Sequence, residues 1–152
     1  MPGARLRADD DRLRLSGVVL PYGTEARIPG GRERIMAGAF GDVSALDVVL
    51  NVHHDRGRPL ARTGGGGLRF SDSDVSLDLE ATLPETREAE DVVRLVRAGV
   101  LRGLSVEFMP TREERVRDVL EVLEARLLGV GVVDRPAYPA ATVSARRRLL
   151  WL

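Results

Sequence analysis

From Val75 to Leu83 the chain reads Val-Ser-Leu-Asp-Leu-Glu-Ala-Thr-Leu, apolar at every odd position and polar at every even one. A period of two fits a strand with one buried face and one wet face. Residues 12–20 (Arg-Leu-Arg-Leu-Ser-Gly-Val-Val-Leu) begin with the same alternation, and Pro21-Tyr22-Gly23 stops it. Val48 to His54 reads as a further strand, running into Asp55-Arg56-Gly57-Arg58-Pro59, a turn by composition. Leu60 to Thr63 and Leu68 to Phe70, separated by Gly64 to Gly67, read as a hairpin closed by glycines. Leu101 to Phe108 is another strand, 110–118 a charged turn or hairpin tip, and Val119 to Val133 one or two strands. Helix is an option for 112–128, but the valine-rich ends and Gly129 and Gly131 favour strand.

One segment follows a different period. Between Glu85 and Ala98, the apolar residues Ala89, Val92, Val93 and Val96 fall at i, i+3, i+4 and i+7, one face of a helix. Acidic residues crowd its start, Arg94 and Arg97 its end, and Gly99 follows as a cap. Residues 23–47 read as loop or short helix anchored by Ile35, Met36 and Phe40. The expected fold class is α+β, mainly β: a closed or half-closed antiparallel β barrel with a few surrounding helices. Its length of 152 residues suits one domain. We place that domain at 12–143, between a flexible N-terminus (1–11) and a basic and apolar tail (144–152).

Composition narrows the chemistry. The sequence has no Cys, Lys or Gln, so all 23 of its basic Lys+Arg residues are Arg. That excludes disulfides, thiol nucleophiles, Schiff-base lysines and the P-loop lysine. The 23 Asp and Glu residues balance the arginines, and aromatic residues make up only 4%, which argues against a nucleic-acid partner. The charged N-terminus lacks the apolar core of a signal peptide, so a cytoplasmic, non-secreted, membrane-free protein is expected. A hydrolase built from this alphabet must use Ser or Thr with a histidine, or paired carboxylates.

The only histidines, His53 and His54, are adjacent and stand where a strand meets a turn. Neighbours on a strand face opposite ways, so one site uses one of them. His54, nearer the turn and followed by Asp55, is the better candidate; the plain alternative is two surface imidazoles. In Gly103-Leu104-Ser105-Val106-Glu107-Phe108, Ser105 sits in an apolar strand and Glu107 shares its face. Ser105, His54 and a carboxylate could form a nucleophile, base and orienting acid. A core serine beside a rim glutamate fits the segment alone as well. The glycine run 64–67 lacks the Gly-Lys-Ser/Thr of a phosphate loop, and Asp72, Asp74 and Asp78 lack the glycine and terminal glutamate of a calcium loop. No metal or cofactor is expected.

Four blocks in fixed order resemble the prohead (capsid maturation) serine proteases of tailed phages, relatives of the herpesvirus assemblins. They are Leu15-Ser16-Gly17-Val18-Val19 with Pro21-Tyr22-Gly23; Asn51 to Arg56 with Pro59-Leu60-Ala61-Arg62; Ala98 to Phe108; and Val132 to Pro139 with Thr142-Val143. The resemblance implies an assemblin-like β barrel ringed by helices. It also implies an endopeptidase that cuts scaffold or capsid-precursor segments, and often itself, inside the procapsid in the host cytoplasm. Its partners would be the major capsid protein and scaffold segments, and it admits a homo-oligomer. By position Ser105 matches the nucleophile and His54 the base, while Arg135 sits where an arginine loop would support the oxyanion. Many relatives carry glutamate where this chain has Gly129. Either the carboxylate has moved, with Glu107 the choice and Glu121 and Glu124 just upstream of Gly129 as alternatives, or a Ser–His dyad suffices. A catalytically inactive, protease-like assembly protein is the competing reading.

Overall fold

The computed structural model describes residues 13–136 and the backbone of 6–9. Ten strands and one α-helix follow in order: β1 (Leu6–Asp9), β2 (Arg14–Pro21), β3 (Ala26–Ile28), β4 (Gly31–Ile35), β5 (Val49–Val52), β6 (Asp55–Arg62), β7 (Leu68–Asp72), β8 (Ser76–Thr82), α1 (Arg87–Arg97), β9 (Gly103–Val116) and β10 (Val119–Val133). The protein is mainly β, as expected. Strand β1 lies within the segment expected to be a flexible N-terminus and pairs with β2. The basic cluster Arg146–Arg148 and the boundary at 143 lie outside the described residues.

The alternating segment forms β8 as its period requires, with Leu77, Leu79 and Ala81 at most 2% exposed. It pairs antiparallel with β2 and β7, giving a four-stranded sheet in the order β1-β2-β8-β7. A register shift between Val18 and Leu20 explains why the alternation of β2 fails there: Val19 and Leu20 are both buried.

The second sheet is organised by β10. One of its edges is bonded to β9 from Val119 to Val133; the other takes β4 at Val119–Val122 and β5 at Val130–Val132. Between those two contacts, residues 36–40 bridge the gap: Met36 N–H donates to Val122 O, and Ala125 N–H to Ala39 O. Phe40 stands edge-on to Phe108 with ring centroids 6.4 Å apart. Strand β3 extends this sheet beyond β4, and β6 extends it beyond β5. The region read as a charged tip at 110–118 is the outer half of the β9–β10 hairpin, which turns only at Arg117-Asp118.

Three expectations need correction. Residues 23–47, read as loop or short helix, carry β3 and β4. The ladders leave both sheets open, so hydrogen bonding does not close a barrel, and β10 pairs parallel with both β4 and β5. Alternation reports which face is buried and nothing about partner or direction. The glycine run 64–67 is also no hairpin: β6 pairs with β5 and β7 with β8, so the run is a corner between the sheets. There Arg62 N–H donates to Gly66 O and Thr82 N–H to Gly67 O.

Helix α1 forms where its period placed it. Thr86 caps it by accepting from Ala89 N–H, Gly99 follows at φ +76°, and Ala89, Val92, Val93 and Val96 are its buried face. The corner supplies a sharp test. Gly67 has φ +88°, and a Cβ there would lie 2.2 Å from Thr82 O, whereas Gly64 has φ +73° and open space. Gly64→Ala is expected to cost about 1–2 kcal/mol from the backbone alone. Gly67→Ala should cost roughly 1–3 kcal/mol more, for the forced displacement of β8, measured by urea denaturation.

Candidate active site

The register of β9 on β10 sorts their side chains into two faces. Leu104, Val106, Val130 and Val132 point into the core at no more than 1% exposure. The opposite face carries Ser105 across from Gly131 and Glu107 across from Gly129. Ser105 and Glu107 are nonetheless 3% and 8% exposed, so something covers that face.

Part of the cover is His54. The strand expected over 48–54 ends at Val52, and Val52 pairs with Asp55 across a two-residue turn made of His53 and His54. Both histidines have positive φ, +51° and +59°, the pattern of a type I′ hairpin turn. Residues 55–59, read as a turn from composition, are the first half of β6. Its charged, glycine- and proline-containing sequence suits an exposed edge strand. The two imidazoles do part company as expected, His53 exposed and His54 half-buried, but turn geometry separates them rather than strand alternation.

The turn folds His54 onto Gly131. A Cβ at Gly131 would lie 2.9 Å from His54 Nδ1 and 3.0 Å from both its Cε1 and its backbone N. Across the ladder, Glu107 Oε1 comes within 2.6 Å of Nδ1, with the two side chains only 13% and 10% exposed. The contact lacks the alignment of a formed hydrogen bond, and Nε2 is buried without a partner among the described residues. A Cβ at Gly129 would sit 3.5 Å from Glu107 Oε2, so the two glycines together form the hollow that holds ring and carboxylate. Ser105 is the ladder partner of Gly131, on which the ring lies, and positions directly opposite in an antiparallel ladder are about 4.5–5.5 Å apart.

The remaining candidates lie elsewhere. Arg34 Nε donates to Glu121 at 2.8 Å, and Glu124 faces Arg112 at 3.6 Å. Along a strand rising about 3.3 Å per residue, Glu121 is about 26 Å from Gly129. Arg135 is exposed in the bend after β10. Its neighbour Pro136 packs on Gly103, where a Cβ would meet the ring at 2.6 Å, so this segment borders the face that carries Ser105. Sequence reasoning missed Asn51, which pairs with Gly131 on the other side and is 7% exposed. It also missed the seat that Gly131 provides, although a Gly-x-Gly inside a strand signals a close approach of other atoms.

The family model of the caudovirus prohead serine proteases matches residues 4–150. The chain belongs to that family. No curated protein and no solved structure matches it. As a prohead protease family member it brings the histidine and serine blocks together across β5, β10 and β9. Among the described residues, no helix is long and apolar enough to cross a membrane.

Two substitutions test this seat. Gly131→Ala should displace His54 and, if His54 is the base of a protease, lower kcat/KM by about 10²-fold or more, since a shift of 1 Å can cost that much. Far-ultraviolet circular dichroism should remain that of a folded β protein. At the turn, His53→Asn should retain activity because Asn tolerates positive φ, whereas His53→Val should lose roughly 1–2 kcal/mol of stability, read by thermal melting.

Proposed function

We propose that the protein is an active serine endopeptidase of the procapsid, with Ser105 as nucleophile, His54 as general base and Glu107 as the carboxylate that orients the base. The observation that carries this reading is the 2.6 Å approach of Glu107 to His54 Nδ1 on the face that also bears Ser105. A carboxylate at Nδ1 favours the tautomer protonated there, leaving a lone pair on Nε2. Nε2 takes the Ser105 proton as Oγ attacks a peptide carbonyl. The tetrahedral intermediate collapses, and the amine departs with that proton. Water, activated by the same nitrogen, then releases the acyl group. Loss of one oxyanion donor typically costs about 2.7–4 kcal/mol. The segment Asp134–Pro136, bordering the Ser105 face, is the part of the chain we assign to oxyanion support, with Arg135 in that role.

The glutamate expected by resemblance at position 129 is replaced, in this reading, by Glu107 from the facing strand. Gly129 and Glu107 are ladder partners, so either position can deliver a carboxylate to the same side of the imidazole. The inactive assembly-protein reading rested on Gly129, and the position of Glu107 at the imidazole supports the active reading over it. The substrates we assign are scaffold segments or the major capsid protein precursor, and the protein's own chain. The chemistry uses no metal or cofactor.

Co-expression with the procapsid proteins, followed by mass measurement, tests the assignment. Ser105→Ala and His54→Ala should abolish cleavage and stay folded; full cleavage by Ser105→Ala would end the serine-protease reading. Glu107→Gln should lower the rate by about 10²–10⁴-fold. Glu107→Gly should be as impaired, and adding Gly129→Glu should restore part of the activity. A double variant as dead as Glu107→Gly would refute delivery of the acid from either strand.

A further inference from the structure

Asn51 is flanked in β5 by Leu50 and Val52, which face the core at 0% and 2% exposure. It faces the other way, in one row with Gly131 and Ser105 across three strands. It is itself 7% exposed, and its Oδ1 is buried with no partner among the described residues. A buried carbonyl oxygen without a donor is destabilising, and a valine at this position would avoid that cost. Such an atom in a folded protein calls for a reason.

The reason lies beside it. Gly131, the direct partner of Asn51, has no side chain, and the ring and backbone nitrogen of His54 occupy the space above it. With strands about 4.8 Å apart, Asn51 stands one strand away from the position on which the His54 imidazole lies, on the side away from β9. Glu107 meets the same ring from β9. The ring thus lies over a position flanked by Asn51 on β5 and Ser105 on β9, with the charged oxygen of Glu107 at its Nδ1.

We propose that Asn51 is a positioning residue for His54, its amide oxygen stabilising the imidazolium that forms when His54 accepts the Ser105 proton. The inference rests on the serine-protease reading above. The proton passes from Ser105 Oγ to Nε2, and the ring gains one positive charge. Glu107 balances that charge at Nδ1. Asn51 favours it through a dipole without adding a second buried negative charge, which would be costly to desolvate in the resting site. Among the described residues, the other titratable groups near His54 are those of its own turn and of the Asp134–Arg135 bend that borders the Ser105 face. His53 and Asp55 adjoin it in the chain and are exposed. Strand β10 offers it only Gly129 and Gly131, and Asn51 is the one polar residue of β5.

The test compares wild type, Asn51→Leu and Asn51→Asp by two measurements. The first is the pH titration of the His54 Cε1–H resonance by NMR, distinguished from His53 with a His53→Asn background. The second is the pH dependence of Ser105 phosphonylation by a fluorophosphonate, a probe without a peptide. In Asn51→Leu the His54 midpoint should fall by about half a unit to one unit, because losing the nearby amide dipole disfavours the charged ring. Labelling should slow about tenfold, since both ring orientation and basicity suffer. Asn51→Asp should raise the midpoint above wild type. A purely structural asparagine would change the melting temperature and leave the midpoint in place. Equal midpoints in all three proteins overturn the proposal, and if Asn51→Leu does not fold, Asn51→Ala and Asn51→Asp carry the same comparison. A wild type that resists labelling while its His54 midpoint still responds to Asn51 refutes the protease reading and leaves the positioning role standing.

Discussion

The antiparallel ladder between β9 and β10 is the interaction on which the rest of the protein depends. It fixes which residues of the two strands face the core, and a slip of one position would exchange the faces. Leu104, Val106, Val130 and Val132, all essentially inaccessible, hold that register because each slip would bring charged or small residues into the core. Ser105 opposite Gly131 and Glu107 opposite Gly129 are consequences of the same lock. The site is therefore built on rigid sheet, where positions are defined more closely than on loops.

The histidine reaches this face by a different device. A two-residue turn at positive φ costs backbone energy for residues with a Cβ, and such strain tends to persist where function needs it. Here it reverses the chain so tightly that His54 lands on the strand next to the one it leaves. Gly131 accepts the ring because it has no side chain, so the strained turn and the glycine seat are parts of one arrangement. The two glycines of β10 also weaken that strand, and its length, with pairing along both edges, offsets the loss.

Away from the site, polar contacts hold the elements in place. Tyr22 O–H donates to Asp72 at 2.6 Å, joining the loop after β2 to the end of β7. Burial, followed by that hydrogen bond and the charges of Asp72 and Asp78, pushes its phenol far above the ordinary range, so it stays a donor at any physiological pH. Arg58 on β6 pairs with Glu88 on α1, tying the helix to the strand that follows the histidine turn. Both contacts are partly or largely exposed, and pairs of that kind contribute little to stability by themselves.

By itself the sequence determined the elements whose period is local. The alternation of β8, the helical face of α1 and the apolar positions of β9 and β10 each report burial on one side, which needs no partner to be read. It also determined the chemical alphabet: without Cys or Lys and with two adjacent histidines, Ser105 and His54 were candidates, and the family resemblance gave them their expected roles with Glu107 as the third residue. Tertiary structure alone decided which strands pair and in what direction, because parallel and antiparallel neighbours bury the same face. It decided that His53 and His54 make a turn, since a His-His pair carries no local signal for positive φ of the kind Asn-Gly gives. It placed Glu107 against the imidazole and set Asn51 in one row with Gly131 and Ser105. Those juxtapositions come from strands far apart in the chain, and only the register between them brings the residues together.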